Sequence, residues 1–125
     1  MKAKTLHITI RNLRSVLEDF AVAYGKLRRG EHTVPYYGLS FADVDTFRRF
    51  LTRSRLELLH TVRQRQPKSL YELAKLLNRD LKSVNSDVAL LKQLGLIQLE
   101  KQKHGRTRVI PHVLFDRMQV NIAIA

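Results

Sequence analysis

Lys82, Asn85, Ser86, Ala89 and Gln93 fall on one side of any helix built on residues 81–93. A helix turns by about 100° per residue, which carries Leu81, Val84, Val88 and Leu91 to the opposite side and leaves Ser83 at the flank. An Asn amide matches the donor–acceptor edge of adenine, a Lys reaches guanine or a phosphate, and a Ser accepts either kind of partner. This face carries no carboxylate, since Asp80 and Asp87 lie off it. A carboxylate facing phosphates would cost affinity, so Asp87 is expected to be an internal partner for Arg53 or Arg55. A second basic set, Lys103, His104, Arg106 and Arg108, surrounds Gly105, and Arg106 and Arg108 share one face of an extended strand. Such a finger meets phosphates or enters a narrow minor groove. Lys68, Ser69 and Lys75 form a third set at a helix start, where free N–H groups can hold a phosphate.

Other chemistries find little support. The five histidines, His7, His32, His60, His104 and His112, include no pair at the i, i+3 or i+4 spacing that metal ligation on a helix wants. Asp43 and Asp45 are a close carboxylate pair, and they fall in a helix's first turn, where acids are favoured without any metal. No G-x-S-x-G, P-loop or HExxH pattern occurs. The sequence therefore predicts neither an enzyme nor a cofactor or metal site.

Bulk composition points the same way. The chain has 125 residues, enough for one compact domain or a small domain with an arm, and a formal net charge of +12. A chain this basic attracts polyanions, so nucleic acid or an anionic membrane surface leads the expected partners. Yet it is 44% hydrophobic, which is enough to build a core and unlike a disordered basic tail. The absence of cysteine removes disulfides and thiolate metal sites and fits a reducing compartment. No apolar run approaches the ~18 residues of a membrane span, and the first residues carry no secretion signal. A cytoplasmic location is expected.

The elements that must position these residues follow from periodicity. Leu6, Ile8 and Ile10 alternate as in a strand. Asn12 opens a helix whose stripe is Leu13, Val16, Leu17, Phe20, Tyr24 and Leu27, ended by Gly30. Residues 34–39 read as a turn or short edge strand. Ser40 to Asp43 resembles a capping box for a helix ending at Phe50, and Thr52 caps the next, with Leu56, Leu59 and Val62 inward. Ser69-Leu70-Tyr71-Glu72 is a full capping box, and its helix turns Leu70, Leu73, Ala74 and Leu77 to one side. Asn78 makes the turn, Asp80 caps the helix of residues 81–94, and Gly95 terminates it. The period then drops to two, giving strands at 96–100 and 106–110 joined by Gln102-Lys103-His104-Gly105, and a last strand carrying Val120, Ile122 and Ile124. Three helices, a strand, a basic hairpin tip and a strand make a winged helix-turn-helix. Ala74, Asn78 and Val84 supply its small residue, its turn residue and its β-branched inward residue. The fold class expected is α+β, mainly α, with an N-terminal strand–helix extension and a C-terminal strand.

The same stretches carry a resemblance. Ser40-Phe41, then Leu51-Thr52-x-x-Arg55-Leu56-Glu57-Leu58-Leu59, Ser69-Leu70-Tyr71-Glu72-Leu73-Ala74-Lys75, Arg79-Asp80-x-x-x-Val84-x-x-Asp87-Val88 and Leu94-Gly95-Leu96-Ile97 resemble small prokaryotic transcriptional regulators. These are MarR-like winged-helix DNA-binding proteins, a group also known by a haloarchaeal prototype, and the likeness runs over roughly residues 40 to 110. The resemblance implies a prokaryotic DNA-binding regulator. It also implies an antitoxin role as the alternative, because some members resemble partners of small RNase-like toxins.

A lone helix-turn-helix makes few contacts, and specificity usually comes from a two-fold dimer on paired half-sites. The strand at 5–10, the helix at 13–28 and the strand at 119–125 have apolar faces that a small winged helix cannot bury. Residues 1–41 are therefore expected to form a dimerisation or partner-binding segment, and residues 42–125 a DNA-binding domain with the C-terminal strand. The function expected is a sequence-specific, homodimeric transcriptional regulator on double-stranded DNA. The alternative partner is a protein toxin.

Overall fold

The computed structural model describes residues 4–10, Ala21, Val22, Tyr24, Gly25, Arg29 and 38–122, apart from the side chain of His104. Along these residues run β1 (Thr5–Ile10), β2 (Gly38–Phe41), α1 (Val44–Phe50), α2 (Arg53–Arg65), α3 (Leu70–Leu77), α4 (Leu81–Gln93), β3 (Gln98–His104), β4 (Arg106–His112) and β5 (Arg117–Ile122). They divide into two compact units. One comprises residues 1–50 with 117–125, and the other residues 51–116.

The first unit is built on a three-stranded parallel sheet in the order β2-β1-β5. The alternation along β1 places Leu6, Ile8 and Ile10 inside, with Ile8 fully buried. Register puts Leu39 and Phe41 beside Ile8 and Ile10 on one side, and Met118, Val120 and Ile122 beside Leu6, Ile8 and Ile10 on the other. Phe41 also meets Phe47 of α1 edge-on at 5.6 Å between centroids. Asp43 caps α1 by accepting from the Thr46 N–H at 2.7 Å, while Ser40 and Phe41 are spent in β2. The expected cap at Ser40 is thus three residues early. The expected domain boundary also moves. The C-terminal strand pairs with β1, so it goes with the N-terminal unit, and the division falls at residue 50 rather than 41. The expected helix at 13–28 lies largely outside the described residues. Ala21, Val22, Tyr24 and Gly25 are helical, and Tyr24, placed on the apolar stripe by periodicity, is exposed.

In the second unit, three capped helices precede an antiparallel hairpin. Thr52 accepts from the Arg55 N–H, Ser69 from the Glu72 N–H and Asp80 from the Ser83 N–H, so each cap expected for these helices forms. The Glu72 carboxylate completes its box at the Lys68 N–H, one residue before the cap. Asn78 takes the left-handed conformation (φ 53°), and the Arg79 N–H reaches back to the Ala74 carbonyl, which folds α4 across α3. The core holds Leu58, Leu59, Val62, Leu73, Ala74, Val84, Val88, Leu91, Leu96 and Ile97. Two inward assignments fail. Leu56 is exposed and Leu58 takes its place, and Leu81 is 41% exposed. Leu81 opens α4, where the helix has only just begun to cross its neighbour, so helical phase alone does not bury it.

The ladder starts at Gln98, later than expected, because the Gly95 and Leu96 N–H groups close α4 on the Lys92 and Leu91 carbonyls. It then runs further than expected. Gln102 and Lys103 pair with Arg108 and Thr107, and the chain reverses at Gly105 (φ 75°), so the expected four-residue loop is mostly strand.

Candidate nucleic-acid interface

A carboxylate bridge anchors α4. Asp87, buried on its inner side, accepts from Arg55 Nε of α2 at 3.1 Å and from Arg79 Nη2 of the α3–α4 turn at 2.7 Å. Arg55 is one of the two partners expected for it. Arg53 instead faces Glu57 one turn along its own helix, and Arg79 was not foreseen.

With its inner face pinned, α4 turns a carboxylate-free face outward. Leu81, Lys82, Asn85, Ser86 and Ala89 line a shallow surface there. Beside it lies a groove of about 550 Å³, walled by the start of α3, the start of α4 and β4. Lys68, Ser69, Lys75, Asn85, Arg106 and Arg108 all line this groove, so residues from the three sequence sets meet on one surface. Asn85 belongs to both surfaces. Lys103 is exposed on the hairpin but pairs with Thr107, on the opposite strand face to Arg106 and Arg108. The backbone of His104 ends β3, and its side chain lies outside the described residues. Gln93 is exposed at the far end of α4 and lines neither surface. Ser83 is committed to the helix cap, since its hydroxyl donates to Asp80 at 2.6 Å.

Sequence periodicity missed Tyr71, Leu81 and Thr107, which also line the groove. Tyr71 is 59% exposed, and the Lys75 ammonium sits 4.6 Å from its ring centroid, a cation–π distance. Its signal was legible: Tyr71 lies off the stripe of Leu70, Leu73, Ala74 and Leu77, so a helix placing those inward must leave the ring outside.

The electrostatics of residues 51–116 are lopsided. All six carboxylates in this stretch have partners within the protein: Glu57 with Arg53, Glu72 with the Lys68 N–H, Asp80 with Ser83, Asp87 with two arginines, Glu100 with His112, and Asp116 with Arg63. Two are held in the charged form. The Ser83 hydroxyl and backbone keep Asp80 below the ordinary carboxylate range, and hydrogen bonding from His112 and then Gln102 does the same for Glu100. Among the described residues of this stretch, Arg65, Lys68, Lys75, Lys82, Lys92, Lys101, Lys103, Arg106 and Arg108 have no carboxylate partner, and Lys68, Lys75, Arg106 and Arg108 of these line the groove. The result is a cationic surface with a helix N-terminus, amide and hydroxyl groups, and an aromatic ring, a combination that can bind a phosphate backbone and hydrogen-bond to bases. Among the described residues there is no cluster of three metal-ligating side chains, and no helix is long and apolar enough to cross a membrane.

Residues 50–120 match the protein family HVO_A0114. The chain belongs to the HVO_A0114 family. Its matched region holds α2 to β4 entire, and therefore both surfaces just described. A solved structure, a possible transcriptional regulator from Methanosarcina mazei Go1, is similar to this HVO_A0114 member at 20% identity and a TM-score of 0.47. The similarity covers 58% of this chain and 65% of that one, so the chain spans under two thirds of that protein. No curated protein matches the chain.

Proposed function

We propose that this HVO_A0114 member is a winged helix-turn-helix, MarR-like transcriptional regulator that binds double-stranded DNA as a homodimer. In this reading α4 enters the major groove, with Asn85 and Lys82 at base edges. The β3–β4 hairpin is the wing, and Arg106 and Arg108 lie along the backbone or in the minor groove. Lys68, Ser69 and Lys75 hold a phosphate at the start of α3. The protein binds and does not catalyse. The observation that carries this reading is the makeup of the groove beside Asn85: four cations without carboxylate partners, Lys68, Lys75, Arg106 and Arg108, line it, and its one carboxylate, Glu72, is held by the Lys68 N–H.

The sheet of the other unit supports the homodimer. Among the described residues β5 pairs on one edge only, and residues 118–122 carry no charge that would discourage further pairing. Val120 and Ile122 are 41% and 55% exposed, although their register neighbours Ile8 and Ile10 are buried. Antiparallel pairing of two β5 strands about Val120 sets Met118 opposite Ile122 of the partner subunit and keeps apolar residues on one face.

Selection of bound DNA from a random duplex library tests the whole reading. A palindromic consensus is the expected outcome. Failure to enrich any sequence, with binding insensitive to salt, would refute it.

A further inference from the structure

We infer that the first turn of α4 reads an A·T step, with Leu81 packing on the thymine methyl group beside an adenine held by Asn85. The inference rests on the DNA-binding reading and adds to it the kind of base pair recognised.

Leu81 has the composition of a core residue and the position of a surface one. It is 41% exposed, and it borders the basic groove, the outer face of α4 and a third depression shared with Tyr71, Lys75 and Asn78. Isolated exposed leucines are ordinary, but this one is set between cations on a surface otherwise suited to a polyanion. A polyanion's backbone offers it nothing. The apolar group available in the major groove is the C5 methyl of thymine, which also separates A·T from every other pair when read with the adenine edge. Leu81 and Asn85 stand one helical turn apart on the same face, with side chains about 6 Å from each other. That spacing covers one to two base-pair steps of about 3.4 Å. Asn85 makes the bidentate match to adenine N6 and N7, and Leu81 takes the neighbouring methyl.

Removing the methyl without changing any hydrogen bond isolates the claim, because uracil differs from thymine by that group alone. The full-length protein is titrated, at about 50 mM salt where backbone binding is strong, against alternating d(AT) and d(AU) duplexes of equal length. Alternating duplexes present the step at every position, so the operator need not be known. Burial of one methyl predicts about fourfold tighter binding to d(AT) for each α4 that engages the duplex. Leu81→Ala should bind both duplexes alike, and Leu81→Met should retain the preference. Lys82→Ala should weaken both equally and leave the ratio intact. Equal binding of d(AT) and d(AU) by the unaltered protein would overturn the inference while leaving DNA binding in place. No binding to either duplex would overturn the DNA-binding reading, and this inference with it.

Discussion

Removing cations from the groove should change how affinity depends on salt, whereas removing Asn85 should not. Lys68, Lys75, Arg106 and Arg108 in the groove and Lys82 on the outer face of α4 lack carboxylate partners, so each is free to displace a counterion from a phosphate. At about 0.9 per phosphate neutralised, five contacts give a slope of log K against log salt of about −4.5 for each protomer. Between about 50 and 200 mM salt that slope lowers affinity roughly five-hundredfold. Replacing both Arg106 and Arg108 with Gln should flatten the slope by about 1.8 and weaken every sequence alike. Asn85→Ala should leave the slope unchanged and cost about 1–3 kcal/mol at a single base pair. Fluorescence anisotropy across a salt series, on a selected site and on scrambled DNA, separates the two behaviours. If the arginine and asparagine variants lose affinity in the same pattern, the division of the surface into backbone and base contacts is wrong. A flat slope for the unaltered protein would mean that the groove serves another ligand.

Three further outcomes are expected. Val120→Lys should convert a dimer into a monomer in sedimentation equilibrium, because a lysine on an edge strand opposes pairing, and a dimer that persists would exclude the β5 edge as its interface. Asp87→Ala should destabilise the fold by about 3 kcal/mol, since it strands two partly buried guanidinium groups, and urea denaturation would detect a smaller loss if the bridge were dispensable. The lowered Asp80 and Glu100 carboxyls contribute stability that is fully present above the ordinary carboxylate pKa. That contribution is lost as pH falls through their lowered values, so an Asp80→Asn variant should show a shallower acid-side decline in melting temperature.

What could be read from the chain was whatever depends on neighbours a few residues away. Thr52, Ser69 and Asp80 cap their helices, and Asn78 and Gly95 adopt positive φ, because capping and left-handed turns are decided within five residues. The outward positions of Lys82, Asn85, Ser86 and Ala89 followed from helical phase for the same reason. What failed depended on distant packing or on competition for a backbone group. Leu81 and Leu56 carry core side chains, but phase cannot tell whether another element arrives to cover them. Ser40 matched a capping pattern, but the pairing of β2 with β1 claimed its backbone, leaving Asp43 as the cap. The C-terminal strand was legible as a strand, but its partner β1 lies over a hundred residues earlier, and no local signal encodes that pairing.

The acidic residues explain why a strongly basic surface can coexist with a stable fold. Clustered cations repel one another, and a helix carrying them outward needs anchors on its inner side. In α4 that anchor is Asp87, which draws two arginines inward and so removes them from the surface as it fixes the helix against α2 and the α3 turn. Asp80 and Glu72 act at the two helix starts bordering the groove, where each carboxylate meets backbone N–H groups rather than a lysine. Had Glu72 been spent on Lys75, or Asp80 on Lys82, the groove or the outer face of α4 would have lost a free cation and the helix start its cap. The carboxylates thus stabilise the elements that present the cations without neutralising the cations themselves. An Arg55→Met, Arg79→Met and Asp87→Leu triple substitution separates these roles. It replaces the charged bridge with apolar packing and should keep the fold, with a salt slope unchanged because none of the three residues faces the groove. A changed slope would show that the bridge contributes charge to the binding surface as well as position.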